Sequence, residues 1–315
     1  MRKPKGDDMV VSSKAKHRAA KQRAVAGENP EGNNTLPQPE GQRRVPVALS
    51  IAGFDPSSGA GVTADLKTFA AHGVYGVACI TAVTVQSTIE VRAVEPVAPH
   101  TVRATLDGLA ADMELAGVKL GMLARATHVG EVVRFLRRES IPRERVVLDP
   151  VTRSTSGREL LDAAGVARVR DELLGAVGWI TPNLAELALL TGRPVTGHAD
   201  VPEAARRLRS MAAALGNPTL RIVVTGGHLS RPDDFLLGNE GESSAESWLH
   251  GERVVTNATH GTGCAFSSAL LCQLIAGFPP ADAVTNAKAY VTVALRSAYP
   301  VGRGHGPMHH LFKLG

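Results

Sequence analysis

At 315 residues, with 43% hydrophobic and 21% charged side chains, the chain has the composition of a soluble globular enzyme. Its net charge of +5 belongs to residues 1–44, which hold ten Lys or Arg against five Asp or Glu; the remaining 25 of each sign cancel, which speaks against a nucleic-acid-binding surface on the folded part. No run of 18 apolar residues predicts a membrane span, no apolar segment marks a secretory signal, and three irregularly spaced cysteines (Cys79, Cys264, Cys272) form neither a disulfide framework nor a CxxC metal site, so a reducing cytoplasm is the expected compartment.

Residues 1–44 are rich in Lys, Arg, Gly, Asn, Pro and Gln and poor in aliphatics. Such a segment buries too little apolar surface to offset its ordering entropy. It is predicted to be a disordered basic extension, with weak tethering to acidic surfaces as the alternative role. From residue 45 to residue 315 a single domain is expected. Its first apolar run, Val45–Ala52, reads as a strand and leads into the small-residue loop Gly53-Phe54-Asp55-Pro56-Ser57-Ser58-Gly59-Ala60-Gly61. A helix follows over Thr63–His72, with Gly73 suited to the left-handed position after its end and Asp65 near its start, where a carboxylate favours the dipole. The loop matches neither GxGxxG nor GxxxxGK[ST], so neither nucleotide fingerprint is present.

Strands are then predicted at Ala78–Val85, Val118–Leu123, Arg145–Leu148, Trp179–Thr181 and Arg221–Val224, with helices at Val102–Leu115, Thr127–Arg138, Leu161–Leu174 and Val201–Leu215 between them. The strands are continuously apolar, as strands covered on both faces are. The alternation predicts a three-layer α/β/α sandwich with a mainly parallel sheet, whose ligands bind at the carboxyl ends of the strands. Those ends carry Asp149-Pro150, the segment Pro182-Asn183-Leu184-Ala185-Glu186, and Thr225-Gly226-Gly227-His228. Asn183 and Glu186, three apart at a helix start, with Asp149 would suit Mg²⁺, or Asn183 and Glu186 form only a capping box.

The last third is helical, over Cys264–Ala276 before Gly277 and over Ala281–Ser297. The first of these follows His260-Gly261-Thr262-Gly263, a poor helix interior and a good anion-binding entrance. Cys264 falls in the first turn, where a thiol's pKa is ordinarily lowered; the alternative is a small buried hydrophobe. Cys79 and Cys272 read as packing residues.

Together the runs AGFDPSSGAGVTADLKTFAAHGVYG, ITAVTVQST, KLGML, DPV, ITPNLAE, TGGH, HGTGC and GHGPMHH, in this order between Val45 and His310, resemble the hydroxymethylpyrimidine/phosphomethylpyrimidine kinases of the ribokinase-like fold. The resemblance implies a sheet of eight or nine strands, ATP with Mg²⁺, and two successive phosphorylations of a hydroxymethylpyrimidine in thiamine synthesis. It places Gly53, Asp65, Gln86 and Met122 in the pyrimidine pocket. Asp149 and Glu186 fall on the metal side, Asn183, Thr225, Gly226, Thr262 and Lys288 toward the nucleotide, and Gly261, Gly263 and Cys264 at the transferring phosphoryl. Cys264 would take the alcohol proton or help form the anion hole. It stands where most ribokinase-like enzymes carry an Asp, which favours the pyrimidine and pyridoxal branch over sugar kinases. Thr225 occupies the place of a common family lysine, whose role Lys288 could assume. The nearest alternatives are a pyridoxal kinase of the same branch and a protein that keeps the pocket with weakened transfer. A small-molecule substrate and a homodimer are the partners the resemblance implies.

Overall fold

Along β1 (Val47–Phe54), Leu49 and Ile51 face one core while Ala48 faces another, because successive side chains of a strand leave opposite faces of the sheet. Both cores are dry, so every central strand must be apolar on both sides. The same division holds at β5 (Val146–Leu148), β6 (Trp179–Ile180), β7 (Arg221–Val224) and β8 (Asp234–Leu237), where Val147, Trp179, Val223 and Leu236 leave the first core for the second. At β4 (Leu115–Leu120) the rule breaks. Val118 and Leu120 enter the first core, but the second face receives Lys119, fully buried.

The computed structural model describes residues 44–154, 156–227, 229, 231–242 and 245–314. The disordered extension expected at 1–44 thus lies outside the described residues except for Arg44, as do His228 and Thr155. From Val45 onward the chain is one compact unit. Its sheet has the order β3-β2-β1-β4-β5-β6-β7-β8-β9, where β2 is Tyr75–Gln86, β3 is Val91–Pro96 and β9 is Glu246–Leu249. The six strands from β2 to β7 in that order are parallel neighbours, and β3, β8 and β9 are antiparallel additions at the two ends. Those three were not located from the sequence: β3 and β9 are partly exposed and mix charged with apolar residues, and β8 offers only three apolar residues after Asp234.

Five helices cover the first core: α2 (Pro99–Asp112), α3 (Ala126–Arg138), α4 (Ala163–Asp171), α5 (Leu184–Thr191) and α6 (Val201–Ala214). Three cover the second: α1 (Gly61–Ala71), α7 (Thr262–Ile275) and α8 (Pro280–Arg296). Helix α4 is shorter than the predicted Leu161–Leu174 because the Asp162 side chain caps it, accepting from the Gly165 N–H at 2.6 Å, and the chain tightens into a 3₁₀ turn at Leu173–Gly175. After β1 the chain moves to β2 on one side and returns to β4 on the other. That reversal opens a crevice at the carboxyl ends of β1 and β4.

Leu120 is fully buried on β4 in the first core. Leu120→Ala is expected to lower unfolding free energy by about 2–5 kcal/mol, seen in urea titration as a lower midpoint with an unchanged slope.

Candidate active site

Two glycine-bearing loops meet at the crevice. Gly61, at the start of α1, has φ 59°, and a side chain there would strike the Gly53 carbonyl. Gly261, capping α7, has φ 77°, and a side chain there would strike the Gly59 carbonyl. Both positions require glycine for conformation and for space. Asp55 ties the first loop together: Oδ1 accepts from the Ser57 N–H and hydroxyl at 2.8 and 2.7 Å, and Oδ2 from the Ala60 N–H at 2.9 Å. His260 Nε2 reaches the same Oδ2 at 2.7 Å, joining the second loop to the first. Burial pushes the Asp55 carboxyl up, but the bonds from His260 and Ser57 outweigh it and hold the group below its usual range.

Three residues expected from the sequence to line a pocket, Gly53, Met122 and Gln86, stand along one wall of the crevice. Gly53 lies against Met122, and Thr81 Oγ1 fixes the Met122 carbonyl at 2.6 Å. Gln86 ends β2 with its amide beside His260, Nε2 to Nε2 3.1 Å, and beside the Thr84 hydroxyl, which lies 3.2 Å from Gln86 Oε1 and 3.0 Å from the Phe54 carbonyl. The C-terminal segment closes this side. The Gly304 N–H donates to Thr88 Oγ1, the His260 N–H to the Gly306 carbonyl, and the Gly306 N–H to the Asn257 carbonyl.

Asp65 departs from its predicted role as a pocket-lining residue. It is fully buried beneath the loops, and its carboxylate takes donors from Ser50 Oγ (2.6 Å), Ser268 Oγ (2.8 Å) and Lys119 Nζ (2.9 and 3.0 Å). Every strong acceptor direction is filled from within, leaving none for a ligand. Burial pulls the Lys119 ammonium down, but the carboxylate charges of Asp65 and Asp149 counter it and the group is held above its usual range.

Cys264 also departs from expectation. Burial pushes its thiol up to about 12, and Lys119 offsets only part of that, so the sulfur is a neutral thiol near pH 7 and not the activated thiolate that its helix position suggests. The Gly61 N–H and the Asp149 carboxylate lie near it. Asp149, at the end of β5, lies 3.9 Å from Lys119 Nζ and faces Ser267 Oγ at 3.5 Å. Gly263, exposed in the first turn of α7, looks across at the same carboxylate.

On the neighbouring strand ends, Asn183 and Glu186 form the capping box of α5, each side chain accepting the other's backbone N–H at 3.0 Å. Burial, then the Asp149 charge, pushes the Glu186 carboxyl up to about 8. Burial raises Asp149 as well, against the pull of Lys119. Among the described residues no group of three or more His, Cys, Asp and Glu is placed to hold a metal ion. The Asp149–Glu186 pair does fit Mg²⁺ in kind: two buried, mutually repelling oxygen donors gain from a hard cation that keeps water and phosphate as its other ligands. Thr225 bridges to Asn183 in parallel pairing, and its N–H donates to the Pro182 carbonyl at 2.9 Å. The Gly226 N–H is held by Asp234 Oδ1 at 2.9 Å. Lys288, suggested by sequence as a replacement phosphate-binding cation, is engaged elsewhere, on Asp234 Oδ2 at 2.7 Å and the Pro232 carbonyl at 2.8 Å. It supports the Gly226 turn from behind. Thr262 opens α7 beside the Gly261 cap.

Sequence reasoning gave no role to Asp55, His260, Lys119, Ser267 or Ser268. Only Lys119 carried a signal of its own, as the single charge inside an apolar strand.

The phosphomethylpyrimidine kinase family model matches residues 55–309. The hydroxymethylpyrimidine/phosphomethylpyrimidine kinase of Rhizobium meliloti is 40% identical over 269 residues, covering 85% of this chain and 97% of that protein. The Escherichia coli protein of the same name is 40% identical over 268 residues, covering 84% and 96%. Among solved structures, Bacillus subtilis pyridoxal kinase in its ADP complex superposes with a TM-score of 0.75 at 30% identity, covering 86% of this chain and all of that one. Phosphomethylpyrimidine kinase from Clostridium difficile gives 0.65 at 31% identity, covering 79% and 99%.

His310, in the segment that closes the crevice, is 3% exposed, and its Nε2 has no hydrogen-bond partner among the described residues. Burial first, then the Lys67 charge, pulls its pKa down to about 4. Between pH 6.5 and 4 the unfolded chain therefore takes up a proton that the folded chain resists, and stability falls as pH falls. Thermal midpoints measured across that interval should drop more steeply for the unaltered protein than for His310→Gln. Equal slopes would show that His310 does not contribute.

Proposed function

The chain belongs to the phosphomethylpyrimidine kinase family, and from that premise we propose that it transfers the γ-phosphoryl group of ATP to the hydroxymethyl arm of 4-amino-5-hydroxymethyl-2-methylpyrimidine, and then phosphorylates the monophosphate, in thiamine biosynthesis. The observation that carries the reading is the meeting of Cys264, Asp149 and the Gly261–Gly263 amides at the carboxyl edge of the sheet, beside a wall built from Gly53, Met122 and Gln86.

In this reading Gln86, held beside Thr84 and His260, presents donor and acceptor to the aminopyrimidine edge, and Met122 packs on the ring. The free N–H groups of the α7 first turn line the path of the phosphoryl group, where preorganised donors stabilise developing charge. Mg²⁺ bound with ATP supplies positive charge to the phosphate oxygens. Asp149 and Glu186 would hold it, directly or through water. Asn183, Thr225, Gly226 and Thr262 form the nucleotide side. Of the two roles open to Cys264, the neutral thiol favours a hydrogen-bonding part in the anion hole over that of a base. A loose phosphoryl-transfer transition state asks little of a base.

Similarity to a solved pyridoxal kinase keeps substrate choice within the branch as the second reading. Three free cysteines suit a reducing cytoplasm. A homodimer is proposed from the family resemblance, to be measured by light scattering.

A coupled ADP-release assay with Mg-ATP should give kcat/KM for the hydroxymethylpyrimidine at least about tenfold above that for pyridoxal, the scale on which a pocket contact discriminates. The reverse preference assigns a pyridoxal kinase, and no ADP release with either overturns the kinase reading. Cys264→Ala should lower kcat by about 100-fold, the loss typical of one anion-hole donor. Unchanged kcat would remove Cys264 from the site.

A further inference from the structure

On the second face of the sheet a fully buried lysine lies directly beneath the meeting point of the two loops. There Lys119 is folded back along β4, and the residue two positions on is Gly121, where even a Cβ would come within 2.8 Å of Nζ. The ammonium donates twice to Asp65 and stands 3.9 Å from Asp149 Oδ2, with the Cys264 sulfur close enough to feel its charge. Ser268 of α7 shares Asp65. One cation thus touches or references the ends of β4 and β5 and the starts of α1 and α7, the elements that present the proposed phosphoryl-transfer groups.

Stability is a poor reason for this arrangement. Replacing a buried ion pair by apolar residues of similar volume is often neutral or stabilising. A pair used only for packing also has no need to sit against a third carboxylate and a thiol at a strand end.

We propose that Lys119 is a positioning residue for phosphoryl transfer: neutralised in part by Asp65, its remaining charge holds the Asp149 carboxylate and the Cys264 end of α7 in register and offsets the negative charge that gathers there as the phosphoryl group arrives. It acts through Asp149 and Cys264 and does not touch substrate. The proposal rests on the kinase reading above, and its test uses whichever hydroxymethyl heterocycle the unaltered protein phosphorylates, so a wrong substrate assignment leaves the result readable.

Lys119→Met alone strands a buried carboxylate and is not informative by itself. The comparison is therefore between Asp65→Asn and the double variant Lys119→Met with Asp65→Asn, which differ only in the lysine. The expected result is a thermal midpoint similar in the two, with kcat at least about tenfold lower in the double variant, the lower range for loss of an electrostatic contributor, and KM for the heterocycle within about threefold, which separates transition-state from ground-state effects. Equal kcat in the two overturns the proposal, as does a loss confined to KM. Should the double variant fail to fold, Lys119→Met with Asp65→Leu is compared with the unaltered protein by the same criteria. Failure of that apolar pair to fold as well overturns the proposal in favour of a purely structural ion pair.

Discussion

The loop after β1 and the loop before α7 meet through backbone, with no room for side chains at the contact. Gly61 sits on the Gly53 carbonyl and Gly261 on the Gly59 carbonyl, each in a left-handed conformation. Because both helices begin at these points, the contact sets where two sets of free N–H groups are aimed. The Gly61 amide and the Asp149 carboxylate are brought beside Cys264. The His260–Asp55 bond then locks the two loops together and brings His260 against Gln86. The positions of Gln86, Cys264 and the first turn of α7 are thus consequences of one close approach between segments some 200 positions apart in sequence.

Below that contact the protein accepts an unusual electrostatic arrangement. Asp65, Lys119, Asp149 and Glu186 are all nearly or fully buried. Three carboxylates against one ammonium leave an excess of negative charge in a region of low dielectric, and Asp149 and Glu186 respond by holding protons more tightly. Two mutually repelling buried carboxylates of this kind gain from a divalent cation. Lys288 does not relieve this imbalance, since its own partner is Asp234. The place of the common family lysine is taken by Thr225, whose backbone is engaged in pairing β6 to β7 through the Pro182 carbonyl and the Asn183 bridge.

The segment that ends the chain has a similar dependence on the whole. Gly304, Gly306 and Pro307 have no local element to join. They are held by Thr88, Asn257 and His260. The sequence marked GHGPMHH as part of a family pattern, but only the packed structure shows it closing the crevice and burying His310.

The sequence by itself determined the layered α/β fold, the six parallel strands, and the glycine loops at the starts of α1 and α7, because continuous apolar runs and glycine at helix starts are local consequences of covering a strand on both faces and aiming free N–H groups. It also carried the resemblance that the family match bears out. The edge strands β3 and β9 escaped it, since partial exposure weakens their pattern, and β8 escaped it as a run of only three apolar residues after Asp234. What tertiary structure alone decided was the state of individual groups. Asp65 reads as a helix-start acid yet faces inward to Lys119, Cys264 reads as an activated thiol yet is held neutral by burial, and Lys288 reads as a free cation yet is paired with Asp234. Solvation and charge partners come from residues distant in the chain, and no local pattern encodes them.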